Sequence, residues 1–186
     1  MGNPGDSQTD WWPLAMMLAD RGFTVLTYDR RGVCPGGAAG CSSGRNDFGD
    51  SWKDVVGAIR FLRALGAKVV VAGGASLGAM ATVYAAGRAD IDALIVVAPV
   101  DIYNGVALTD LVREVSGSKL FLAGRDDDEP AMVVRDMYRR ARQPKELVLL
   151  NTGEHGTDIL TYEVPGAAAK FREAVVGFLT RLASAE

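Results

Sequence analysis

Short apolar runs alternate with amphipathic segments along the chain, and this alternation predicts strands that are each followed by a helix. The predicted strands are residues 23–28, 69–71, 93–98, 119–123 and 146–150. The predicted helices are residues 9–20, 51–65, 77–87 and 130–141, a short helical connection within 101–117, and a closing helix with an apolar stripe at Phe171, Val175, Phe178 and Leu182. This order is typical of an α/β protein with a mainly parallel sheet of about five strands and helices on both faces.

The first predicted strand, Phe23 to Tyr28, is joined to the strand at residues 69–71 by the predicted helix 51–65, which fits a right-handed crossover between neighbouring strands. We expect Phe23 to Tyr28 to pair directly with residues 69–71 and to form an edge of the sheet; the alternative is a gap in the sheet with unpaired backbone groups. No charged residue or proline interrupts this segment, and such an edge tends to pair with another chain. The sequence therefore predicts a homodimer or larger assembly that buries this edge or the helix carrying Trp11 and Trp12.

Size and charge exclude several classes of protein. The 186 residues fit a single domain, 1–186, and the formal net charge of −3 gives no basic surface for nucleic acid. The longest apolar run, residues 93–100, is too short to span a bilayer, and the first ten residues do not resemble a signal peptide. We therefore expect a cytoplasmic protein with no nucleic-acid or membrane partner.

The two cysteines, Cys34 and Cys41, lie in a Gly-rich loop at residues 33–46. With a single histidine in the chain, a zinc site is not expected, and no metal is predicted. Two free thiols are the default in a reducing compartment. A local disulfide that closes the loop is the alternative.

The segment Gly74-Ala75-Ser76-Leu77-Gly78 matches G-x-S-x-G between a predicted strand and a predicted helix. In that context the serine lies on a strained turn with its hydroxyl exposed, and bulkier residues two before and two after it are expected to collide. Ala79 follows the last glycine, so the segment is not a P-loop, and the glycine spacing does not fit a dinucleotide fingerprint. No cofactor is predicted.

Polar residues follow two further predicted strands. An acidic segment, residues 125–128, follows the fourth strand, and His155, the only histidine, follows the fifth. Ligands of parallel sheets bind beyond the carboxyl ends of the strands, so Ser76, an aspartate and His155 are expected at one edge. Serine, aspartate and histidine in this order are a nucleophile, acid and base set.

These motifs resemble those of the α/β-hydrolase family over nearly the whole chain. The resemblance rests on the segments Tyr28-Asp29-Arg30-Arg31-Gly32, Gly74-Ala75-Ser76-Leu77-Gly78, Leu122-Ala123-Gly124-Arg125-Asp126-Asp127 and Glu154-His155-Gly156. It implies a three-layer sandwich and the acid at Asp127, three positions after Gly124. The similarity to small bacterial carboxylesterases and dienelactone-hydrolase-like proteins implies hydrolysis of a small carboxylic ester.

The resemblance also implies catalytic roles. Ser76 would be the nucleophile, His155 the base, Asp127 the group that orients the imidazole, and the Leu77 N–H an oxyanion donor. Family members carry strands before the first helix, and a loop after one of them supplies a second oxyanion donor. This chain begins at about that loop, so Gly2 or Asn3 is expected to supply that donor.

The link from the third to the fourth predicted strand, residues 99–118, is too short for a cap domain, so a lidless, open site is expected. Two alternatives to a carboxylesterase stay open. One is a thioesterase or dienelactone-type hydrolase, and the other is a weakly active binding protein of the same fold.

Overall fold

The computed structural model describes residues 7–34 and 40–184, which divide into two compact units. The larger unit spans residues 48–156, and the smaller combines the described residues up to 47 with those from 157 onward. The single-domain organisation of residues 1–186 stays a prediction. No helix within the described ranges is long and apolar enough to cross a membrane.

The helices and strands follow the predicted alternation. The strands are β1 (Val71–Ala75), β2 (Ala93–Val97), β3 (Ile102–Tyr103), β4 (Val106–Ala107), β5 (Ser118–Gly124) and β6 (Lys145–Leu150). A 3₁₀ helix (Gln8–Trp11) comes first, and the α-helices are α1 (Trp12–Ala19), α2 (Ser51–Ala64), α3 (Leu77–Ala86), α4 (Leu108–Leu111), α5 (Asp128–Arg140), α6 (Asp158–Thr161) and α7 (Ala167–Ala183).

The larger unit is built on a four-stranded parallel sheet with the order β1-β2-β5-β6. Every residue of β2 is buried, as expected for an apolar strand covered on both faces. Leu94 and Val96 of β2 and Phe121 and Ala123 of β5 share one core cluster with buried residues of α2, α3 and α5. The predicted α/β fold, a parallel sheet with helices around it, is confirmed, although the main sheet has four strands instead of about five.

The missing strand is the segment Phe23 to Tyr28. It forms no strand, and the prediction that it pairs with residues 69–71 is wrong. Side chains anchor it instead, because Thr27 Oγ1 donates to Gln8 Oε1 at 3.0 Å and Asp29 accepts from the Gln8 backbone N–H at 2.8 Å. Its β-branched and aromatic residues favour a strand, but a strand also requires a neighbour for its backbone groups. The homo-oligomer stays a prediction, without 23–28 as an edge strand to support it.

The link between β2 and β5 is less helical than predicted. A two-stranded antiparallel hairpin, β3–β4, precedes the short helix α4. The Tyr103 hydroxyl of this hairpin donates to the Phe48 carbonyl at 2.7 Å, and the Asn104 side-chain amide donates to the Gly49 carbonyl at 2.7 Å. The hairpin therefore holds the segment that leads into α2, and residues 98–117 contain no cap domain.

Cys34 and Cys41 are joined by a disulfide, so the default prediction of two free thiols is wrong and the alternative holds. Around this bond the Ser42 N–H donates to the Val33 carbonyl at 2.9 Å, and Ser42 Oγ donates to the Arg30 carbonyl at 2.6 Å. Disulfides are rare in reducing compartments, so the bond does not support the cytoplasmic location, which stays a prediction.

Lys119 is a fully buried cation at the amino end of β5. Its Nζ donates to the carbonyls of Gly117, at 2.6 Å, and Arg142, at 3.3 Å. Burial lowers the pKa of Lys119, and the positive charges of Arg142 and Lys145 lower it further. The folded protein therefore holds this proton less tightly than the unfolded chain does.

Gly117 has a φ of +73°, and a Cβ there would collide with the backbone carbonyl of Asp92, whose carbon would lie at 2.8 Å. Gly117→Ala is expected to lower the free energy of unfolding by about 3 kcal/mol, from left-handed strain and overpacking. Gly105→Ala is the matched control, because Gly105 has a φ of +74° and open space around it, and it should cost only about 1 kcal/mol. Chemical denaturation measures both, and equal losses would contradict the steric explanation.

The lowered pKa of Lys119 predicts the sign of a pH effect. As pH rises through that lowered pKa toward 10.5, the folded state loses its proton before the unfolded chain does, and the cost of burying the charge falls. The unfolding free energy of wild type should therefore rise relative to Lys119→Met over this alkaline range. Urea denaturation of both proteins at several pH values measures the difference, and a constant difference would refute the prediction.

Candidate active site

Ser76 lies at a sharp turn between β1 and α3, with φ 50° and ψ −120°. A non-glycine residue with positive φ is strained, by about 1–3 kcal/mol, and persists only where surrounding contacts enforce it. Here the Ser76 N–H donates to the Val97 carbonyl at 2.9 Å, and the Ser76 carbonyl accepts from the Met80 N–H at 3.1 Å. The turn is thus tied to β2 on one side and to the first turn of α3 on the other.

The two glycines of the motif have different roles. A Cβ at Gly74 would lie 2.5 Å from the Gly78 carbonyl oxygen and 2.8 Å from the Ala79 nitrogen, so only glycine fits there. A Cβ at Gly78 would meet nothing within 4 Å. The expectation that a bulkier residue collides is therefore right for Gly74 and wrong for Gly78, because a Cβ on Gly78 would project into open space.

Asp127 lies between β5 and α5, at the N-cap position of that helix. Aspartate at this position often accepts a hydrogen bond from the first turn of its helix, but the Asp127 side chain makes no such bond. Its Oδ2 lies 2.9 Å from His155 Nδ1. The Asp127 side chain is 13% exposed and that of His155 is 42% exposed, so the imidazole is open to solvent while its partner is sheltered.

The loops that carry Asp127 and His155 are bonded to each other. Beyond the ends of β5 and β6, the Arg125 N–H donates to the Leu150 carbonyl at 2.7 Å and the Asp126 N–H donates to the Thr152 carbonyl at 3.1 Å. A Cβ at Gly124 would lie 2.7 Å from the Thr152 carbonyl oxygen, so glycine is required for this approach. The sequence marked Gly124 only as a reference for spacing, and its steric role was missed because no local pattern reveals a contact between loops.

The loop after β6 also reaches the turn that carries Ser76. Three inter-strand spacings, roughly 14 Å in all, separate β1 from β6 in the sheet order. Nevertheless, a Cβ at Gly156 would lie 3.4 Å from the Ala75 Cβ, in ordinary contact. The residue after His155 therefore lies close to the residue before Ser76.

The structure brings three predicted site residues, Ser76, Asp127 and His155, to the same sheet edge. Asp127 and His155 are hydrogen-bonded, whereas no hydrogen bond joins the Ser76 hydroxyl to His155 among the described residues. Such bonds are often absent without substrate and form in the complex. Leu77, the fourth predicted residue, is the first residue of α3, where a backbone N–H has no acceptor within the helix.

Gly2 and Asn3, the predicted sources of a second oxyanion donor, lie outside the described residues. Within the described ranges, no group of three or more His, Cys, Asp or Glu side chains is arranged to hold a metal ion.

The chain belongs to the alpha/beta hydrolase fold family, because residues 2–152 match the sequence profile of that family. The matched region includes the Ser76 turn and Asp127. It ends just before His155, whose place is given by the geometry above.

Solved structures of other proteins share this fold. An esterase from Pyrococcus furiosus has a TM-score of 0.75 at 17% identity, with 95% of this chain and 79% of that chain covered. A monoacylglycerol lipase from Paleococcus ferrophilus has a TM-score of 0.75 at 14% identity, covering 95% and 91% of the two chains. A serine hydrolase homologue from Coxiella burnetii has a TM-score of 0.69 at 24% identity, covering 92% and 76%. Comparison with curated proteins finds no match to this chain.

The asymmetry of the motif glycines can be tested by two single substitutions. Gly74→Ala should lower the free energy of unfolding by about 3 kcal/mol, because its Cβ would be forced against the backbone of Gly78 and Ala79. Gly78→Ala should be neutral or stabilising by up to about 1 kcal/mol, since alanine is the better helix former. Thermal unfolding measures both. A Gly78→Ala variant as unstable as Gly74→Ala would contradict this view of the turn.

Proposed function

We propose that this protein is a carboxylesterase-type serine hydrolase that cleaves small carboxylic esters through an acyl-enzyme. The observation that carries the proposal is the 2.9 Å hydrogen bond between Asp127 and His155, at the sheet edge where Ser76 is held at φ 50°. The esterases and the monoacylglycerol lipase among the similar structures support an ester as the substrate. The catalytic triad is Ser76, Asp127 and His155.

The hydrogen bond to Asp127 determines what His155 can do. Because Asp127 Oδ2 accepts from Nδ1–H, the neutral imidazole leaves Nε2 free to accept a proton. His155 Nε2 takes the Ser76 hydroxyl proton as Oγ attacks the ester carbonyl, and the carboxylate of Asp127 stabilises the imidazolium that forms. His155 then protonates the leaving alcohol, which leaves an acyl group on Ser76. The same imidazole activates water for deacylation.

The oxyanion that forms during attack accepts a hydrogen bond from the Leu77 N–H. Leu77 is the first residue of α3, so the positive end of the helix dipole adds to the stabilisation. Gly2 or Asn3 supplies the second donor in this proposal. Loss of one such donor costs roughly 3–4 kcal/mol in kcat, so catalysis without that donor would be slow.

Removal of the nucleophile tests the reaction directly. Ser76→Ala should abolish hydrolysis of p-nitrophenyl acetate and butyrate, and also labelling by a fluorophosphonate, because the proposed acyl-enzyme forms on the Ser76 hydroxyl. The melting temperature should stay close to that of wild type, which controls for folding. Turnover at the wild-type rate in this variant would refute the assignment. If a fluorophosphonate does not label the wild-type protein, the result favours the alternative of a binding protein with the same fold. Parallel assays with thioester substrates test the other alternative, a thioesterase.

The choice of Asp127 as the acid can be tested against its neighbours. Asp127→Asn should lower kcat by about 10⁴-fold, because an amide no longer favours the required tautomer and charge of His155. Asp126→Asn, in the loop, and Asp128→Asn, at the first residue of α5, are matched controls at exposed positions, and both should retain most of the activity. Steady-state kinetics with p-nitrophenyl acetate compares the three. A control variant that loses as much activity as Asp127→Asn would move the acid to that position.

A further inference from the structure

A cleft of about 330 Å³ lies between α2 and the segment that follows α3, away from the candidate active site. Its apolar lining comes from Val56, Ile59 and Ala89, and its charged lining from Arg60, Arg63, Arg88 and Asp90. Arg88, Ala89 and Asp90 lie just before the amino end of β2, whereas the Ser76 N–H is bonded to Val97 at the carboxyl end of that strand. One strand length, roughly 16 Å, separates the two regions.

Arg63 is the most constrained of the three arginines. Its Nη2 lies 2.6 Å from Asp92 Oδ2 and 3.4 Å from Asp90 Oδ2. Asp92 Oδ2 also accepts from the Val70 N–H at 2.6 Å, so this carboxylate is already shared. Arg63 Nε, by contrast, is buried and has no hydrogen-bond partner among the described residues. Arg63 Nη1 donates to the Ala67 carbonyl at 3.1 Å and to the Lys68 carbonyl. Arg63 is therefore engaged by the protein itself and contributes positive charge to the cleft wall, with no donor left open to a ligand.

The other two arginines, Arg60 and Arg88, contribute positive charge to the cleft. Among the described residues, neither Arg60 nor Arg88 forms an ion pair with an acidic side chain. The Arg88 guanidinium lies 3.7 Å from the centre of the Tyr84 ring, and its Nη1 donates to the Tyr84 carbonyl at 2.8 Å. Arg88 is therefore held in place before any ligand arrives, which lowers the entropic cost of binding.

We propose that this cleft is a binding site for a small organic anion, namely a carboxylate that carries a short apolar chain. The carboxylate accepts hydrogen bonds from Arg60 and Arg88, and the chain contacts Val56 and Ile59. The apolar lining favours such a ligand over inorganic phosphate, which would leave that surface uncovered. The site goes beyond the proposed hydrolysis, and binding at it does not depend on Ser76.

Sodium butyrate is the probe that tests this site, titrated into the full chain at constant ionic strength and followed by NMR of backbone amides. We expect a dissociation constant on the order of 1 mM, with shifts concentrated at residues 56–63 and 88–92. Butyramide has the same size without the charge and should not bind. Two results would overturn the proposal: shifts confined to residues around Ser76, or no shifts at a butyrate concentration about fifty times the expected dissociation constant.

Two arginine variants locate the contact. Arg60→Gln and Arg88→Gln should each weaken butyrate binding about tenfold, the loss expected for one charge-assisted hydrogen bond. Arg113→Gln, which changes an exposed arginine outside the cleft, should leave the affinity unchanged. Thermal unfolding checks that each variant is folded, and Arg63 is left intact because of its bonds to Asp92. If neither cleft variant weakens butyrate binding, the proposed site is wrong. If phosphate binds more tightly than butyrate, the proposed ligand class is wrong.

Discussion

The close approach between the end of β1 and the first turn of α3 is the constraint on which the candidate site depends. The chain passes directly from strand to helix at Ser76, and the backbone at Gly74 leaves no room for a side chain. The strain at Ser76 is offset by its bonds to Val97 and Met80, which belong to the sheet and the helix. One turn therefore places both the hydroxyl of Ser76 and the free N–H of Leu77 at the carboxyl edge of the sheet.

The second half of the site is organised independently of that turn. Asp127 gives up the usual capping role of an N-cap residue and bonds to His155, and the backbones of the two loops are bonded to each other. These contacts join the loops after the adjacent strands β5 and β6 and do not involve Ser76. Ser76 and the Asp127–His155 pair are thus held by separate sets of contacts, and the loop after β6 reaches across the sheet toward the Ser76 turn.

Both parts of the candidate site were predicted from the sequence, and their catalytic roles stay proposals. Ser76 was predicted from the strand, glycines and helix around it, and the resemblance to the hydrolase family selected Asp127 over Asp126 and Asp128 by its position after Gly124. The fold class followed from the alternation of apolar runs and amphipathic segments, since buried parallel strands have a recognisable composition.

Features that depend on contacts in space were not predicted. Residues 23–28 have the composition of a strand, but pairing depends on a neighbour that composition cannot reveal. The strands of the β3–β4 hairpin have two residues each, too few to show a periodicity. The Cys34–Cys41 bond was one of two open alternatives, and the direction in which a Cβ at Gly78 would point depends on helix geometry.

Gly156 and Ala75 lie close together although they are roughly eighty residues apart in sequence and follow or end strands at opposite edges of the sheet. Contacts of such long range carry a large loop-closure entropy, which the chain must overcome before the contact stabilises anything. During folding, α2, α3 and α5 can therefore gain their helical content well before Ser76 approaches His155. In a refolding protein, the recovery of secondary structure would come ahead of the recovery of a competent site.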